Sequence, residues 1–299
     1  MAGTEKQQCR LVVGDLVMDL NCYPPALADV LANWFIQEAS DRPADLDLDL
    51  ELVAHEDIPE LPNSLLANKL VGSDGSFDVA GGLITGCLDR TGARGSIRPK
   101  ATLARGRLLR ILEQIFYQAF HSANTLRGGD ACLVHSSAVI ADGAGFLFVG
   151  PSGAGKSTVA QLSTNHHVLG DEMQLLAPEG EGFTVRSTPF NGTFRSKLPG
   201  QAPLRAIFIL EQADAHRLTA IGPAEAASAL AAEIVPPVGL DELPTPDTLP
   251  AMVEYAARIL EYTPVWRLEF LPDPGFWEIL ATEFNLEIGD GPGDRSDQP

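Results

Sequence analysis

The sequence predicts an α/β protein that leans toward α+β. A P-loop catalytic-type domain with a mixed sheet is expected over residues 126–287, a smaller α+β region over 1–125 precedes it, and a disordered tail occupies 288–299. Three observations carry that expectation. The glycine-rich run GPSGAGKS (150–157) stands between the apolar run FLFV and the helix-like STVAQLS. Period-two and wholly apolar strand patterns alternate with amphipathic helical patterns, as layered architectures require. LRGGD (126–130) punctuates the chain between a long amphipathic segment and the strands leading into that run.

The elements follow in order. RLVVGDLVMDL (10–20) reads as a strand or hairpin, ended by Pro24 and Pro25, and ALADVLANWFIQEA (26–39) has helical apolar spacing. DLDLDLELV (45–53) alternates acid and aliphatic, the pattern of a half-buried strand with leucines inward and carboxylates in water. A calcium loop is a poor reading there, because the loop glycine and closing glutamate of an EF-hand are missing. Residues 61–100, rich in Gly, Asn and Ser, predict short strands and loops. Over 102–123 a helix gathers Leu108, Leu109, Leu112, Ile115, Phe116 and Phe120 on one face.

Beyond residue 130, ACLVHSSAVI and FLFVG flank ADGAG, so Asp142-Gly143 predicts a tight hairpin turn. A helix to about 163 follows, then one strand over 168–176, a turn at PEGEG (178–182) and a strand over 183–187. The loop 187–201 carries Arg195 and Lys197. A buried strand is expected over 202–212, a helix led by Pro223 and Glu225 over 222–235, and a proline-rich linker over 236–249. Helix 252–262, strand 265–272 and helix 273–284 complete the chain.

With 299 residues and 45% apolar content, the chain can bury a core in one large or two modest domains. Its 40 acidic against 21 basic residues leave a net charge of −19, a field that repels a polyphosphate backbone. Nucleic acid is therefore not an expected partner. Cys9, Cys22, Cys87 and Cys132 form no C-x-x-C pair and have no His at zinc spacing, which predicts reduced thiols. Asp15 and Asp19 interrupt the N-terminal apolar run, so no signal peptide is expected. No run reaches the about 18 apolar residues of a membrane span. The expectation is a soluble cytoplasmic protein with no membrane partner; a homo-oligomer stays open.

Gly150-Pro151-Ser152-Gly153-Ala154-Gly155-Lys156-Ser157 matches G-x-x-x-x-G-K-[ST] at every fixed position, with a strand before it and a helix after. Glycines let such a loop curl so that successive N–H groups meet phosphate oxygens. Gly150, Ser152, Gly153, Ala154, Gly155, Lys156, Ser157 and Thr158 are the expected nucleotide-binding residues, with Lys156 on the β- and γ-phosphates and the Ser157 hydroxyl on Mg²⁺. The N-K-x-D of GTPases and the LSGGQ of ABC ATPases are both missing.

If Asp142 and Gly143 are the central turn residues, Ala141 faces Ala144, and the same register sets His135 across from Gly150. An imidazole there would lie within reach of a terminal phosphate or an acceptor; a histidine packed at a strand's start is the alternative. Asp171 and Glu172 follow the next apolar run, where strand ends carry ligand contacts. One of them is expected to hold Mg²⁺ and the other to take a hydroxyl proton. Glu211, after AIFIL, ranks second as a metal acid. Arg195 and Lys197 read either as a phosphate clamp or as exposed loop charge.

Together, H-S-S-A-V, the D-G hairpin, F-V-G-P-S-G-A-G-K-S-T and the L-G-D-E strand resemble the catalytic domain of the HPr kinase/phosphorylase family, itself related to phosphoenolpyruvate carboxykinases. TPFNG, PLRAIFILEQ and WRLEFLPDPGFWEIL are similar to HPr-kinase-like proteins found beside peptide-modification genes, and the resemblance covers roughly 125–284. It implies ATP (or GTP) and Mg²⁺ as cofactors, His135 near the transferred group, and the acidic pair as metal ligand and base. The family's usual Asp-Asp is Asp171-Glu172 here, and residues 1–125 do not look like that enzyme's N-terminal domain. The expected activity is a kinase moving the γ-phosphoryl group to a hydroxyl, most simply a serine of a peptide or protein. A nucleotide-binding regulatory or scaffold module with slow hydrolysis is the alternative. A decarboxylating carboxykinase would need more basic groups than this stretch offers.

Overall fold

The computed structural model describes residues 6–35, 39–53, 69–70, 76–79, 84–88, 94–100, 105–235 and 248–287. The expected tail and most of the linker lie outside the described residues. Two compact units divide the chain, residues 1–131 with 236–249, and 132–235 with 250–299. Both are mixed α/β with mixed sheets.

The first unit has a seven-stranded sheet, ordered β1 (Gln7–Val13), β2 (Leu16–Tyr23), β3 (Leu46–Glu51), β7 (Arg94–Pro99), β6 (Ile84–Leu88), β5 (Ser76–Val79) and β4 (Lys69–Leu70). β2, β3 and β7 run parallel and the other pairs antiparallel. Alternation in β3 resolves as its sequence requires: Leu46, Leu48 and Leu50 are buried while Asp47, Asp49 and Glu51 face water. Helix α1 (Ala26–Trp34) buries Leu27, Ala28 and Leu31. Helix α2 (Arg105–Leu126) buries the stripe Leu108, Leu109, Leu112, Ile115, Phe116 and Phe120. Between the two helices, the Phe35 and Phe116 rings meet edge to face, and the Trp34 indole donates to Glu113 at 2.9 Å.

In the second unit, β8 (Cys132–Ala141) and β9 (Ala144–Val149) form the hairpin set by Asp142 and Gly143, both at positive φ. Its register runs from Ala141↔Ala144 to Ser136↔Val149, the pairing that the turn dictates. Helix α3 (Lys156–Leu162) follows. The expected single strand over 168–176 is instead two, β10 (His167–Gly170) and β11 (Met173–Glu179). Both lie antiparallel to β8, with a register shift near Leu169 and Asp171-Glu172 between them. Gly170 sits at φ +151, where a Cβ would come within 2.8 Å of the Gln174 amide, so only glycine makes this break.

β11 pairs with β12 (Gly182–Arg186), β12 with the start of β13 (Gln201–Gln212), and the rest of β13 with β9 in parallel. Because β9 also pairs with β8, the hydrogen bonding closes a circuit β8–β11–β12–β13–β9–β8. β15 (Val265–Phe270) extends the sheet parallel to β13, and β14 (Arg217–Ala220), a strand not expected from the sequence, pairs outside β15. One core packs Val134, Leu147, Val149, Val185 and Ile207 against helices α4 (Pro223–Glu233) and α5 (Thr248–Tyr262). Another stacks Phe146, Phe148 and Phe208 against Phe276 and Trp277 of α6 (Phe276–Phe284). Each such aromatic stabilises by about 1.5–3 kcal/mol when fully buried. Among the described residues, no helix is long and apolar enough to cross a membrane.

Candidate functional site

The glycine-rich loop leaves β9 at Gly150 and enters α3 at Lys156. Gly153 and Gly155 hold φ of +86° and +113°, in the region that L side chains rarely adopt. At Gly155 the space is also taken, since a Cβ would lie 2.5 Å from the Phe270 ring. Gln212, at the end of β13, donates to the Gly153 carbonyl at 2.6 Å and ties the loop tip to the neighbouring strand. Ser152 is exposed; Ala154, Ser157 and Thr158 are half-buried.

Lys156 is buried. Its ammonium donates to the Gly150 carbonyl at 2.5 Å and reaches that of Pro151 at 3.4 Å and Glu233 Oε2 at 3.9 Å. Burial lowers its pKa, opposed by the negative charges of Glu233 and Glu172. The same Oε2 accepts from His135 Nδ1 at 3.1 Å. Imidazole and ammonium thus converge on one carboxylate oxygen beside the loop. Gly150 leaves the β8–β9 ladder, whose last pair is Ser136↔Val149, and on its other edge His135 stands opposite Met173.

Glu233, the last residue of α4, was not among the residues singled out from the sequence. Its placement is fixed just beyond the helix, where Ile234 bridges Val134 antiparallel and the Val235 amide donates to the Leu133 carbonyl at 2.9 Å. Continuing that register by one residue sets Glu233 across from His135. A signal was present: an acid at a helix C-terminus, where the backbone dipole disfavours negative charge, needs a cation nearby.

The acidic pair divides. Asp171 is 3% exposed, and its Oδ2 accepts the Thr193 amide, the Thr193 hydroxyl and the Phe194 amide, each at 3.0 Å. Oδ1 is buried without a hydrogen-bond partner among the described residues and lies against Gly192. The carboxylate therefore anchors the 187–200 loop, an arrangement at odds with its expected availability to a metal or a hydroxyl. Lys197 does similar work. It is buried and donates to the carbonyls of Thr188, at 2.8 Å, and Phe190, so it is neither exposed charge nor free to clamp a phosphate. Arg195 is exposed.

Glu172 is half-buried, its carbonyl accepts the Ser136 amide at 3.2 Å, and its charge acts on Lys156. Glu211 is exposed and pairs with Arg267 at 3.5 Å. Among the described residues no three His, Cys, Asp or Glu side chains cluster as a metal cage. Magnesium in phosphate sites takes few protein ligands, all oxygen, alongside phosphate and water. The Ser157 hydroxyl and the Glu172 carboxylate fit that donor chemistry; Asp171, with one oxygen saturated and the other walled off, does not.

No curated protein matches the chain. Among solved structures, the HPr(Ser) kinase/phosphatase from Coxiella burnetii is similar at 13% identity and a TM-score of 0.30, over 51% of this chain and 95% of that one. The likeness is distant. A family model described as SynChlorMet cassette protein ScmC matches residues 104–279, which run from the start of α2 into α6 and include every candidate site residue. That match takes in more than half of the sequence, and the chain belongs to the ScmC family.

Proposed function

We propose that this chain is a Mg²⁺-dependent kinase that moves the γ-phosphoryl group of ATP or GTP to a hydroxyl acceptor, a serine of a peptide or protein, in the cytoplasm. The observation that carries the reading is a loop matching the full phosphate-binding motif whose Lys156 shares one carboxylate oxygen with His135. A loop that served only to hold a nucleotide would not need an imidazole at the lysine's counter-ion.

The residues would act as follows. Backbone N–H groups of 150–157 hold the β-phosphate, and Lys156 exchanges the Gly150 and Pro151 carbonyls for phosphate oxygens, neutralising charge as it develops. Gln212, through Gly153, keeps the loop in shape while this happens. Magnesium, held by Ser157 and Glu172, would supply charge neutralisation on the phosphate oxygens. Asp171 and Lys197 keep the 187–200 loop rigid as a wall for the acceptor.

The test uses the full chain, γ-labelled ATP, Mg²⁺ and a mixed library of serine-containing peptides. Label in peptide supports the kinase, and Lys156→Met should reduce it by at least about 100-fold. Label appearing only as free phosphate would favour the regulatory-module reading instead.

A further inference from the structure

We infer that Glu233 and His135 form a proton-handling dyad. Glu233 fixes the imidazole through Nδ1 so that Nε2 is the acceptor for the proton of the incoming hydroxyl. This rests on the kinase reading and names, within it, the base and the residue that positions it.

The geometry assigns the tautomer. A carboxylate can only accept, so with Oε2 at 3.1 Å a hydrogen lies on Nδ1, and in the neutral ring Nε2 is then the atom with the lone pair. Nε2 has no partner among the described residues, and the His135 side chain is 36% exposed, so the ring is accessible to a reactant. Glu233, by contrast, is 10% exposed and held from both directions, by α4 behind it and by the Ile234 bridge after it. Asp171, the acid next in line for the role, spends Oδ2 on three loop donors and has Oδ1 sealed against Gly192. Around His135, Glu233 of α4 holds Nδ1, Lys156 of α3 is drawn to the same Oε2, and Met173 is the partner on β11; Glu172 lies in the adjacent break.

The step balances. The hydroxyl oxygen of the acceptor forms a bond to the γ-phosphorus, and the bond from that phosphorus to the β-bridging oxygen breaks. The departing nucleoside diphosphate keeps the electron pair, and the hydroxyl proton moves to Nε2. Glu233 stabilises the resulting imidazolium without taking the proton. It touches no reacting atom and is a positioning residue.

Two measurements on the full chain test the dyad. Nitrogen NMR of the histidines, assigned with His135→Gly, should show the neutral His135 ring protonated at Nδ1 and bare at Nε2; in Glu233→Ala the proton of the neutral ring should redistribute toward Nε2. In single-turnover transfer from γ-labelled ATP to the serine-peptide library, His135→Gly should lose about 10²–10⁴-fold and be restored in part by added imidazole. Glu233→Ala should lose about 10–100-fold, and Glu233→Gln, which keeps an acceptor, less. A neutral wild-type His135 ring protonated at Nε2, or His135→Gly turning over at the wild-type rate, overturns the dyad. If no peptide is labelled by the wild-type chain, the kinase reading fails, and the tautomer measurement still decides the dyad.

Discussion

Asp171 and His121 are both buried, and each makes a measurable demand. One oxygen of Asp171 is the acceptor for three loop donors. Asp171→Asn can turn its oxygen to those donors only by putting its NH2 into the buried space against Gly192, and should cost about 2–4 kcal/mol of unfolding free energy, read by chemical denaturation. His121 must stay neutral. Its ring is buried in α2, Nε2 has no hydrogen-bond partner among the described residues, and desolvation lowers its pKa from 6.5 to about 4. As pH falls below about 6.5 the unfolded chain takes up a proton that the folded chain refuses until about 4. Stability should therefore fall with pH across that window, by on the order of 3 kcal/mol, with the loss complete near pH 4. Substituting His121→Leu should flatten the dependence; an unchanged slope in that variant would remove the assignment.

The turn from α4 into Ile234 is a short element with a long reach. Ile234 is extended, at φ −72° and ψ 129°, a conformation that tolerates a following proline, while the Val235 amide donates to Leu133. Val235→Pro should cost only about 0.5–1.5 kcal/mol, the worth of one hydrogen bond, while lowering phosphoryl transfer by about tenfold or more as Glu233 loses its register. Comparing denaturation midpoints with transfer rates separates the two effects.

Elements of this kind also mark where the sequence stopped being readable. The β8–β9 hairpin could be written out pair by pair, because Asp142-Gly143 determines the register locally. The leucines of β3 and the stripe of α2 were equally plain, since their periods state their burial. Glu233 was not, because its partner lies 98 residues away and the register that joins them is a single bridge after a helix. The direction of the Asp171 carboxylate depends on a loop twenty residues further along. The break at Gly170 depends on the Gln174 side chain filling the space a Cβ would need, which no spacing rule shows.

Across the whole molecule, 40 acidic residues against 21 basic ones load the surface with like charge. Compaction brings those charges together, so screening should favour the folded state. Raising sodium chloride from about 10 to 200 mM should lift the thermal midpoint by about 2–5 °C in scanning calorimetry. A falling midpoint would mean that specific ion pairs such as Arg267 with Glu211 and Glu225 outweigh the general repulsion.

The circuit of strands in the second unit has a mechanical meaning of its own. A ribbon can unzip from its free margin; a hoop offers no place to begin. Amide protons of β8, β9 and β13 should thus trade with deuterium as one block rather than strand after strand. The glycine-rich loop that follows β9 is then carried on a rim that either stands entire or opens entire.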